Sequence, residues 1–400
     1  MYTSQLVVVA ASLWAARGAA VQGFNYGAQR PGWGVKVKDD YTTEFNTAKS
    51  LVGAPGDGFT SARLFTMRQG DSSEPIEAID AAIDTHTSLL LGLWCSESDA
   101  RFASELDALN NAIQKHGDRL AKLVVGISVG SEDLYRISGI GRKNNETGGA
   151  EPSTIVGYIK QVRDTISGTA LANARVGHVD TWTAWVNGSN QAVVDACDWI
   201  GFDAYPYWQT TQANAIENGK NLFNKALTDT KNAVGGKDVW VTETGYPVSG
   251  HTMGQAIPTV DNAKKYWNDV GCSLFGSTNV WWYTLADPGS VPSFGIVSDV
   301  SKNTPLFDIS CKTSVSSALV ILPNVSESSA TDAAGASSTT RKPKGTSSVG
   351  SGSTTDSGSN STMSTPRPSV TPSTNPNGAT LIAGSIMAAI AALLTTVVVV

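Results

Sequence analysis

Between residues 21 and 311, short β-branched and apolar runs alternate with segments that carry apolar residues at helical spacing. Short runs of this kind are typical of strands. The predicted strands cover residues 23–27, 61–67, 88–94, 123–129, 175–182, 199–205, 239–243 and 279–285. The pattern therefore predicts eight strands with helical segments between them.

Three of the intervening segments show clear helical periodicity. Apolar residues recur at intervals of three and four, and a Gly follows the two longer sets, as is common at helix ends. The sets are Phe102, Leu106, Leu109 and Ile113 before Gly117; Ile155, Ile159, Val162 and Ile166 between Pro152 and Gly168; and Ile76, Ile79 and Ile83 after Pro75.

Strands that alternate with helices favour a parallel sheet, because each return to the same edge needs a crossover. Eight units within residues 21–311 predict a single α/β domain, a (β/α)8 TIM barrel. A doubly wound open sheet is the alternative. Neither G-x-G-x-x-G nor a Walker sequence follows a predicted strand, so the sequence gives no indication of a nucleotide site.

The two ends of the chain differ from this domain. Residues 7–14 are mostly apolar and lead to the small residues Gly18, Ala19 and Ala20, so we expect residues 1–20 to be a signal peptide. Residues 312–377 are rich in Ser, Thr, Gly and Pro, which predicts a disordered, O-glycosylated stalk.

Residues 378–400 end in an apolar run without a cationic flank. A terminal transmembrane helix and a glycosylphosphatidylinositol (GPI) signal are the two interpretations, and the signal peptide favours the second. We expect the tail to be removed and the lipid attached near Asn377. The expected location is the outer face of the cell membrane and the cell wall.

Charge and aromatic content indicate the kind of partner. The formal net charge is −6, without the cationic excess of a nucleic-acid-binding surface, so we expect no nucleic acid. Apart from Tyr2 and Trp14, every Phe, Trp and Tyr lies between Phe24 and Phe307. An aromatic-rich domain with few charges is suited to binding a neutral sugar polymer. We also expect the protein to be a monomer.

Cysteines and sequons add expectations for a secreted chain. Disulfides are expected among Cys95, Cys197, Cys272 and Cys311, with three possible connectivities. There is no C-x-x-C or H-E-x-x-H, so we expect no metal and no cofactor. Candidate N-glycosylation sites are Asn145, Asn187, Asn324 and Asn360.

Two glutamates are the candidate catalytic residues. In a parallel barrel, reactive groups lie at the carboxyl ends of strands. Glu132 follows the fourth predicted strand and Glu243 ends the seventh. Glycoside hydrolysis uses such a pair, one carboxyl group to protonate the departing oxygen and one carboxylate to attack carbon or activate water.

Aromatic residues at predicted strand ends are candidates for stacking on sugar rings. Because adjacent strand residues face opposite ways, one of Trp281 and Trp282 should be buried outside the site. The predicted aromatic contacts are Tyr26, Tyr205, Tyr207, Tyr246, Trp281 and Tyr283.

The sequence resembles glycoside hydrolase family seventeen, and within it the fungal cell-wall endo-β-1,3-glucanases that carry a stalk and a GPI signal. The similarity covers about residues 21–311. It rests on the segments Gly23-Phe24-Asn25-Tyr26-Gly27, Ala62-Arg63-Leu64-Phe65, Gly130-Ser131-Glu132, Asp203-Ala204-Tyr205-Pro206-Tyr207 and Thr242-Glu243-Thr244-Gly245-Tyr246-Pro247.

The resemblance implies a (β/α)8 barrel, β-1,3-glucan as the substrate and a retaining mechanism without metal. It implies Glu132 as acid/base and Glu243 as nucleophile, with Arg63 and Ser131 added to the substrate contacts. Ser131 is a departure, because related barrels often have Asn before the acid.

Other functions remain open at this point. The same glycosyl-enzyme intermediate can be released by a glucan hydroxyl, which gives a β-1,3-glucanosyltransferase. Gly126-Ile127-Ser128-Val129-Gly130 matches the G-x-S-x-G of serine esterases, with His178 and His251 as candidate bases. A non-catalytic wall protein that binds glucan is the third alternative.

Overall fold

The computed structural model describes residues 20–32 and 34–311 of the 400-residue chain. Eight parallel strands follow one another around a closed barrel, and the last pairs with the first. The strands are β1 Gln22–Tyr26, β2 Ser61–Leu64, β3 Ser88–Leu93, β4 Val124–Ser131, β5 Val176–Thr181, β6 Trp199–Asp203, β7 Asp238–Thr244 and β8 Val280–Trp282. The predicted (β/α)8 class is confirmed, and the pairing of β1 with β8 excludes the open sheet.

Helices fill the connections between the strands. Two 3₁₀ turns, Gly188–Asn190 and Pro206–Trp208, and a π-helical turn, Trp267–Gly271, add to them. The α-helices are α1 Lys38–Lys49, α2 Ala78–Thr85, α3 Asp99–His116, α4 Asp118–Ala121, α5 Asp133–Ile137, α6 Gly139–Lys143, α7 Pro152–Ile166, α8 Trp182–Trp185, α9 Gln191–Ala196, α10 Ile216–Ala233, α11 Val260–Tyr266 and α12 Cys272–Leu274.

The helical periodicities in the sequence correspond to α2, α3 and α7. Helix α3 begins after Ser98, whose side chain accepts a hydrogen bond from the Arg101 amide, and it ends at Gly117, where φ is 49°. An N-cap hydroxyl and a Gly with positive φ satisfy the free backbone groups of a helix at its two ends. Local capping therefore sets the length of this helix.

Apolar side chains fill the molecule in two separate clusters. The larger cluster lies between the barrel and its helices. The smaller one fills the barrel interior, where Trp199 and Trp240 stack with ring centroids 4.1 Å apart. Gly126 makes room for them, because a Cβ at this position would lie 3.0 Å from the Trp240 ring. The filled interior leaves the carboxyl ends of the strands as the place for polar side chains.

One disulfide is present among the described cysteines, between Cys272 and Cys311. Cys95 and Cys197 are buried free thiols. A bridge between these two is excluded by the barrel, because Cys95 follows the carboxyl end of β3 and Cys197 precedes the amino end of β6. The expectation of disulfides among all four cysteines is corrected to a single bridge.

Among the described residues, no helix is long and apolar enough to cross a membrane. The predicted signal peptide, stalk and anchor segment lie outside these residues, as do Asn324, Asn360 and Asn377.

Candidate active site

Polar side chains from five strand ends converge at one end of the barrel. Glu243 lies in β7, and its side chain is 9% exposed. Arg63 of β2 donates from Nη1 to Glu243 Oε1 at 2.5 Å, and the Tyr205 hydroxyl after β6 donates to Oε2 at 2.7 Å. Both carboxylate oxygens are therefore hydrogen-bonded, one of them to a permanent cation.

Arg63 connects the two predicted catalytic positions. Its guanidinium also donates to Asn25 Oδ1 at 2.7 Å and, from Nη2, to Ser131 Oγ at 2.9 Å. Ser131 is the last residue of β4 and precedes Glu132. The Arg63 side chain is only 1% exposed, and its guanidinium lies 4.6 Å from the centre of the Phe65 ring. A buried cation thus joins the ends of β2, β4 and β7.

The backbone turn after β4 sets the position of Glu132. Gly130 and Glu132 have φ values of 89° and 58°, in the left-handed region. A Cβ on Gly130 would lie 2.2 Å from Asp133 Oδ2, so Gly is required there. The Asp133 carboxylate accepts from the Ser131 amide at 2.8 Å, and the Glu132 amide donates to Val179 O at 2.9 Å.

The Glu132 carboxyl group is poised to hold a proton. Burial, followed by the nearby Glu243 charge, raises its pKa to about 8 against the opposing effect of Arg136. Arg136 Nη2 lies 3.7 Å from Glu132 Oε2. A carboxyl group that stays protonated at neutral pH can act as a general acid.

A third carboxyl group was missed by the sequence reasoning. Asp203, the last residue of β6, is 1% exposed and accepts a hydrogen bond from Thr242 Oγ1 at 2.6 Å. Its Oδ2 has no hydrogen-bond partner among the described residues. Burial, followed by the Glu243 charge, raises its pKa well above the usual value. The sequence did offer a signal for this residue. Asp203 begins the segment Asp203-Ala204-Tyr205-Pro206-Tyr207 and lies at the end of a strand, where site residues are expected.

An aromatic wall stands beside Glu243. The Tyr205 ring lies 6.0 Å from Tyr283 and 5.6 Å from Phe294, measured between ring centroids. Burial, followed by the charge of Glu243, raises the pKa of Tyr283 well above 10. Phe294 was not among the predicted contacts, because it lies in a loop after β8 and no strand pattern points to it.

The other predicted aromatic contacts do not contact the two glutamates. Tyr26 packs against Phe45 of α1, with ring centroids 5.0 Å apart. Tyr207 is fully buried and donates its hydroxyl to His251 O, and its ring lies 5.9 Å from that of Tyr246.

Trp281 belongs to the filled barrel interior and is fully buried, so its proposed role as a sugar contact is corrected. Its indole donates to Ser61 Oγ at 3.0 Å. Trp282 packs outside the barrel against Trp267, with ring centroids 4.9 Å apart. Trp281 and Trp282 are therefore both buried. Trp281 faces into the barrel, but it lies deeper in the interior than the polar side chains at the carboxyl ends of the strands.

The geometry does not form a nucleophile elbow at Ser128. Strand β4 continues to Ser131, and Ser128 Oγ donates to Gly130 O at 2.8 Å. His178 is within hydrogen-bonding distance of Val129 O at 2.6 Å and of Asp180 at 3.1 Å, so both ring nitrogens are engaged. Asp180, the acidic partner of His178, also accepts hydrogen bonds from the backbone amides of Leu134, Tyr135 and Thr181, and not from Ser128.

Two of the predicted glycosylation sites lie within the described residues, and both asparagines are exposed. Asn187 Oδ1 accepts hydrogen bonds from the Ser189 amide and hydroxyl. No group of three or more His, Cys, Asp or Glu side chains between residues 20 and 311, leaving out residue 33, is arranged to hold a metal ion.

Comparison with known proteins relates this chain to glycoside hydrolases. Residues 23–291 match the model of the BtgE/BtgC glycoside hydrolase domain. A protein of Aspergillus terreus named as a probable glucan endo-1,3-beta-glucosidase is 55% identical over 319 residues, which are 78% of this chain and 65% of the relative. One of Aspergillus fumigatus with the same description is 56% identical over 321 residues, 79% of this chain and 70% of the relative.

Among solved structures, the glycoside hydrolase family 17 beta-1,3-glucanosyltransferase of Rhizomucor miehei shares the fold. Its TM-score is 0.57 at 24% sequence identity, over 71% of this chain and 95% of that one. An endo-laminarinase from Formosa shares the fold with a TM-score of 0.51 at 11% identity, over 71% of this chain and 80% of that one.

Proposed function

Because the chain belongs to the BtgE/BtgC glycoside hydrolase family, we propose that it hydrolyses β-1,3-glucan internally, with Glu132 and Glu243 as the reacting pair. One observation carries the assignment of roles. Glu132 has a pKa raised to about 8, whereas Glu243 is ion-paired with Arg63 at 2.5 Å. This difference supports Glu132 as the proton donor and Glu243 as the nucleophile.

In the proposed reaction, Glu132 donates its proton to the glycosidic oxygen as the bond to the anomeric carbon breaks. A Glu243 oxygen attacks that carbon and forms a glycosyl ester, and the shortened glucan leaves as an alcohol. The Glu132 carboxylate then takes a proton from water, whose oxygen displaces Glu243 from the carbon. Two inversions give net retention, and both carboxyl groups return to their first state.

The substrate proposal draws on the relatives and on the site. The two Aspergillus relatives are described as probable glucan endo-1,3-beta-glucosidases. The aromatic wall of Tyr205, Tyr283 and Phe294 offers apolar faces beside Glu243 on which a neutral sugar ring can stack. An internal glucan segment fits this combination of aromatic and hydrogen-bonding groups.

The test compares the parent with Glu132→Gln and Glu243→Gln on a soluble β-1,3-glucan. We expect both variants to lose at least about 10²-fold in rate, because each lacks one half of the carboxyl pair. Glu217→Gln, on the exposed face of α10, is the matched control and should keep the parent rate. Parent-like rates in both site variants would exclude the two-glutamate mechanism.

Product analysis in the same reaction distinguishes the modes of action. Internal hydrolysis gives a spread of intermediate lengths, and NMR of the first products should show the β-anomer if configuration is retained. Products longer than the substrate would instead identify transfer to a glucan hydroxyl.

We also propose secretion, N-glycosylation and anchoring of the chain to the outer cell surface through a GPI lipid. The support is the sequence pattern of residues 1–20 and 312–400 and the sequons. Treatment of intact cells with a phosphatidylinositol-specific phospholipase should release the protein. Retention on the membrane after such treatment would favour a spanning helix.

A further inference from the structure

One arginine beside Glu132 has no role in the proposed mechanism, yet it lies between two carboxyl groups. Arg136 is on α5, four residues after Glu132, with Nη2 3.7 Å from Glu132 Oε2. Nε of the same guanidinium lies 4.0 Å from Glu146 Oε2. Only one of these two carboxyl groups is assigned to the reaction.

The Arg136 guanidinium is fixed by neutral contacts. Nη1 donates to the backbone oxygen of Ser131 and to Ser96 Oγ at 3.1 Å. The Trp94 ring lies under the guanidinium at 4.8 Å. The side chain is 10% exposed, and these three contacts hold the guanidinium beside Glu132.

The backbone of Glu146 is held in place by helix α6. Its amide donates to Gly141 O at 2.9 Å, and its backbone oxygen accepts from Arg142 at 3.1 Å. The side chain is 10% exposed, and burial raises its pKa, against the opposing effect of Arg136. A second acidic group therefore faces the same cation as Glu132.

We propose that Arg136 is a positioning residue for Glu132 and that Glu146 competes with Glu132 for its charge. This inference rests on the proposed function, because it takes Glu132 as the acid/base. Arg136 stabilises the ionised form of Glu132, and Glu146 weakens that effect by drawing on the same guanidinium. The pair would set the pH at which Glu132 releases its proton.

Other ionisable groups also face Glu132, and they remain in place when Arg136 or Glu146 is changed. They are Asp180 of β5, Tyr135 of α5, Asp203 of β6, Glu243 of β7 and Tyr283, which follows β8. These groups are the same in the parent and in the variants. A change in the Glu132 titration midpoint can therefore be attributed to Arg136 or Glu146.

Two substitutions test the proposal, because they are expected to act in opposite directions. Arg136→Gln should raise the Glu132 titration midpoint by about 1 pH unit, since it removes a cation within 4 Å. Glu146→Gln should lower the midpoint by about 0.5 unit, since it removes a more distant anion. Glu151→Gln removes the same charge from an exposed residue nearby and should leave the midpoint unchanged.

The midpoint is measured in two ways. The alkaline limb of kcat/KM on soluble β-1,3-glucan reports it through activity. Carbon NMR of protein labelled at the glutamate carboxyl carbons reports it directly, with the Glu132 signal assigned by its loss in Glu132→Gln. Opposite shifts in the two variants support the proposal, whereas unchanged midpoints or shifts of the same sign overturn it.

The design separates this inference from the proposed function. If the NMR midpoints move as stated while no glucan is cleaved, the role of Arg136 is supported and the proposed activity fails. If glucan is cleaved and the midpoints do not move, only this inference fails. Should Arg136→Gln not fold, Glu146→Gln still decides the question, because a downward shift is expected and its absence overturns the proposal.

Discussion

Glu132 and Glu243 are buried to a similar degree at the ends of two strands, but their surroundings differ. Glu243 lies within β7, and both of its oxygens accept hydrogen bonds, from Arg63 and Tyr205. Glu132 lies beyond β4 in a left-handed turn, with Arg136 at 3.7 Å. One site stabilises a charge and the other allows a proton to remain.

The comparison shows how one barrel can give two roles to the same residue type. Burial disfavours the ionised form of any carboxyl group, and only a close cation or several hydrogen bonds reverse this. At β7 a fully buried arginine, Arg63, donates a hydrogen bond to the Glu243 carboxylate. After β4, the Ser131 amide donates to Asp133 and not to Glu132. Burial is therefore the largest influence on the pKa of Glu132.

Removal of Arg63 should have the largest effect on the difference between Glu132 and Glu243. Arg63→Met should reduce kcat/KM by about 10³-fold and cost about 3 to 5 kcal/mol in the free energy of unfolding, because it leaves Glu243 as an unpaired buried charge. Denaturant unfolding and initial rates measure the two effects. The double variant Arg63→Met with Glu243→Gln should regain stability, and a further loss of stability would contradict the account.

A change of pH tests the other half of the contrast. Below about pH 8 Glu132 keeps its proton, and above this value kcat/KM should fall about tenfold per pH unit. Because the folded-state pKa is raised above the unfolded value, folding stability decreases from the unfolded pKa up to about pH 8. Glu132→Gln cannot ionise, so its melting temperature should increasingly exceed that of the parent as the pH rises towards 8. A constant difference across this range would place the titrating group elsewhere.

A milder change sharpens the account of Glu243. Tyr205→Phe removes the hydroxyl that donates to Oε2 at 2.7 Å while keeping the ring. A hydrogen bond to a charged group contributes about 1.5 to 3 kcal/mol, so we expect kcat/KM to fall about 10- to 100-fold. Tyr207→Phe is the matched control, since its hydroxyl bonds to His251 O instead. Equal losses in both variants would mean that the hydroxyl acts through folding.

The smallest effect is expected at Asp203. Burial and the Glu243 charge raise its pKa and so disfavour its ionised form, and Asp203→Asn replaces the carboxyl group by a neutral group of the same shape. We expect kcat/KM below pH 7 to change by less than about threefold, as neutral isosteres keep similar hydrogen bonding. Asp203→Leu, which also removes the acceptor for Thr242, should be clearly worse. A large loss in Asp203→Asn would show that Asp203 acts as an anion.

Several features of the site could be predicted because they depend on short stretches of chain. The eight strands and the positions of Glu132 and Glu243 at strand ends follow from local hydrophobic patterns. Trp281 and Tyr26 were placed less well, because a residue at a strand end faces either the site, the filled interior or the helices. That choice depends on register around the closed barrel, which local periodicity does not contain.

The cysteines show the same limit. All four lie in one domain, but the separation between the ends of β3 and β6 leaves Cys95 and Cys197 unbridged. Asp203, Arg136 and Phe294 were missed for a related reason. Each acquires its neighbours through contacts with other strands or loops, so its own sequence surroundings carry little signal.

The sequence by itself determined the order of strands and helices, the barrel class and the two glutamates, since patterning and turn residues act over a few neighbouring positions. The family resemblance implied Glu132 as the acid, but only the tertiary structure gives the physical reason why Glu132 is the one that keeps its proton. That depends on the distances to Arg63 and Arg136, from β2 and α5, and electrostatic interactions vary steeply with distance and burial. Neighbours in space, rather than in sequence, assign each carboxyl group its role.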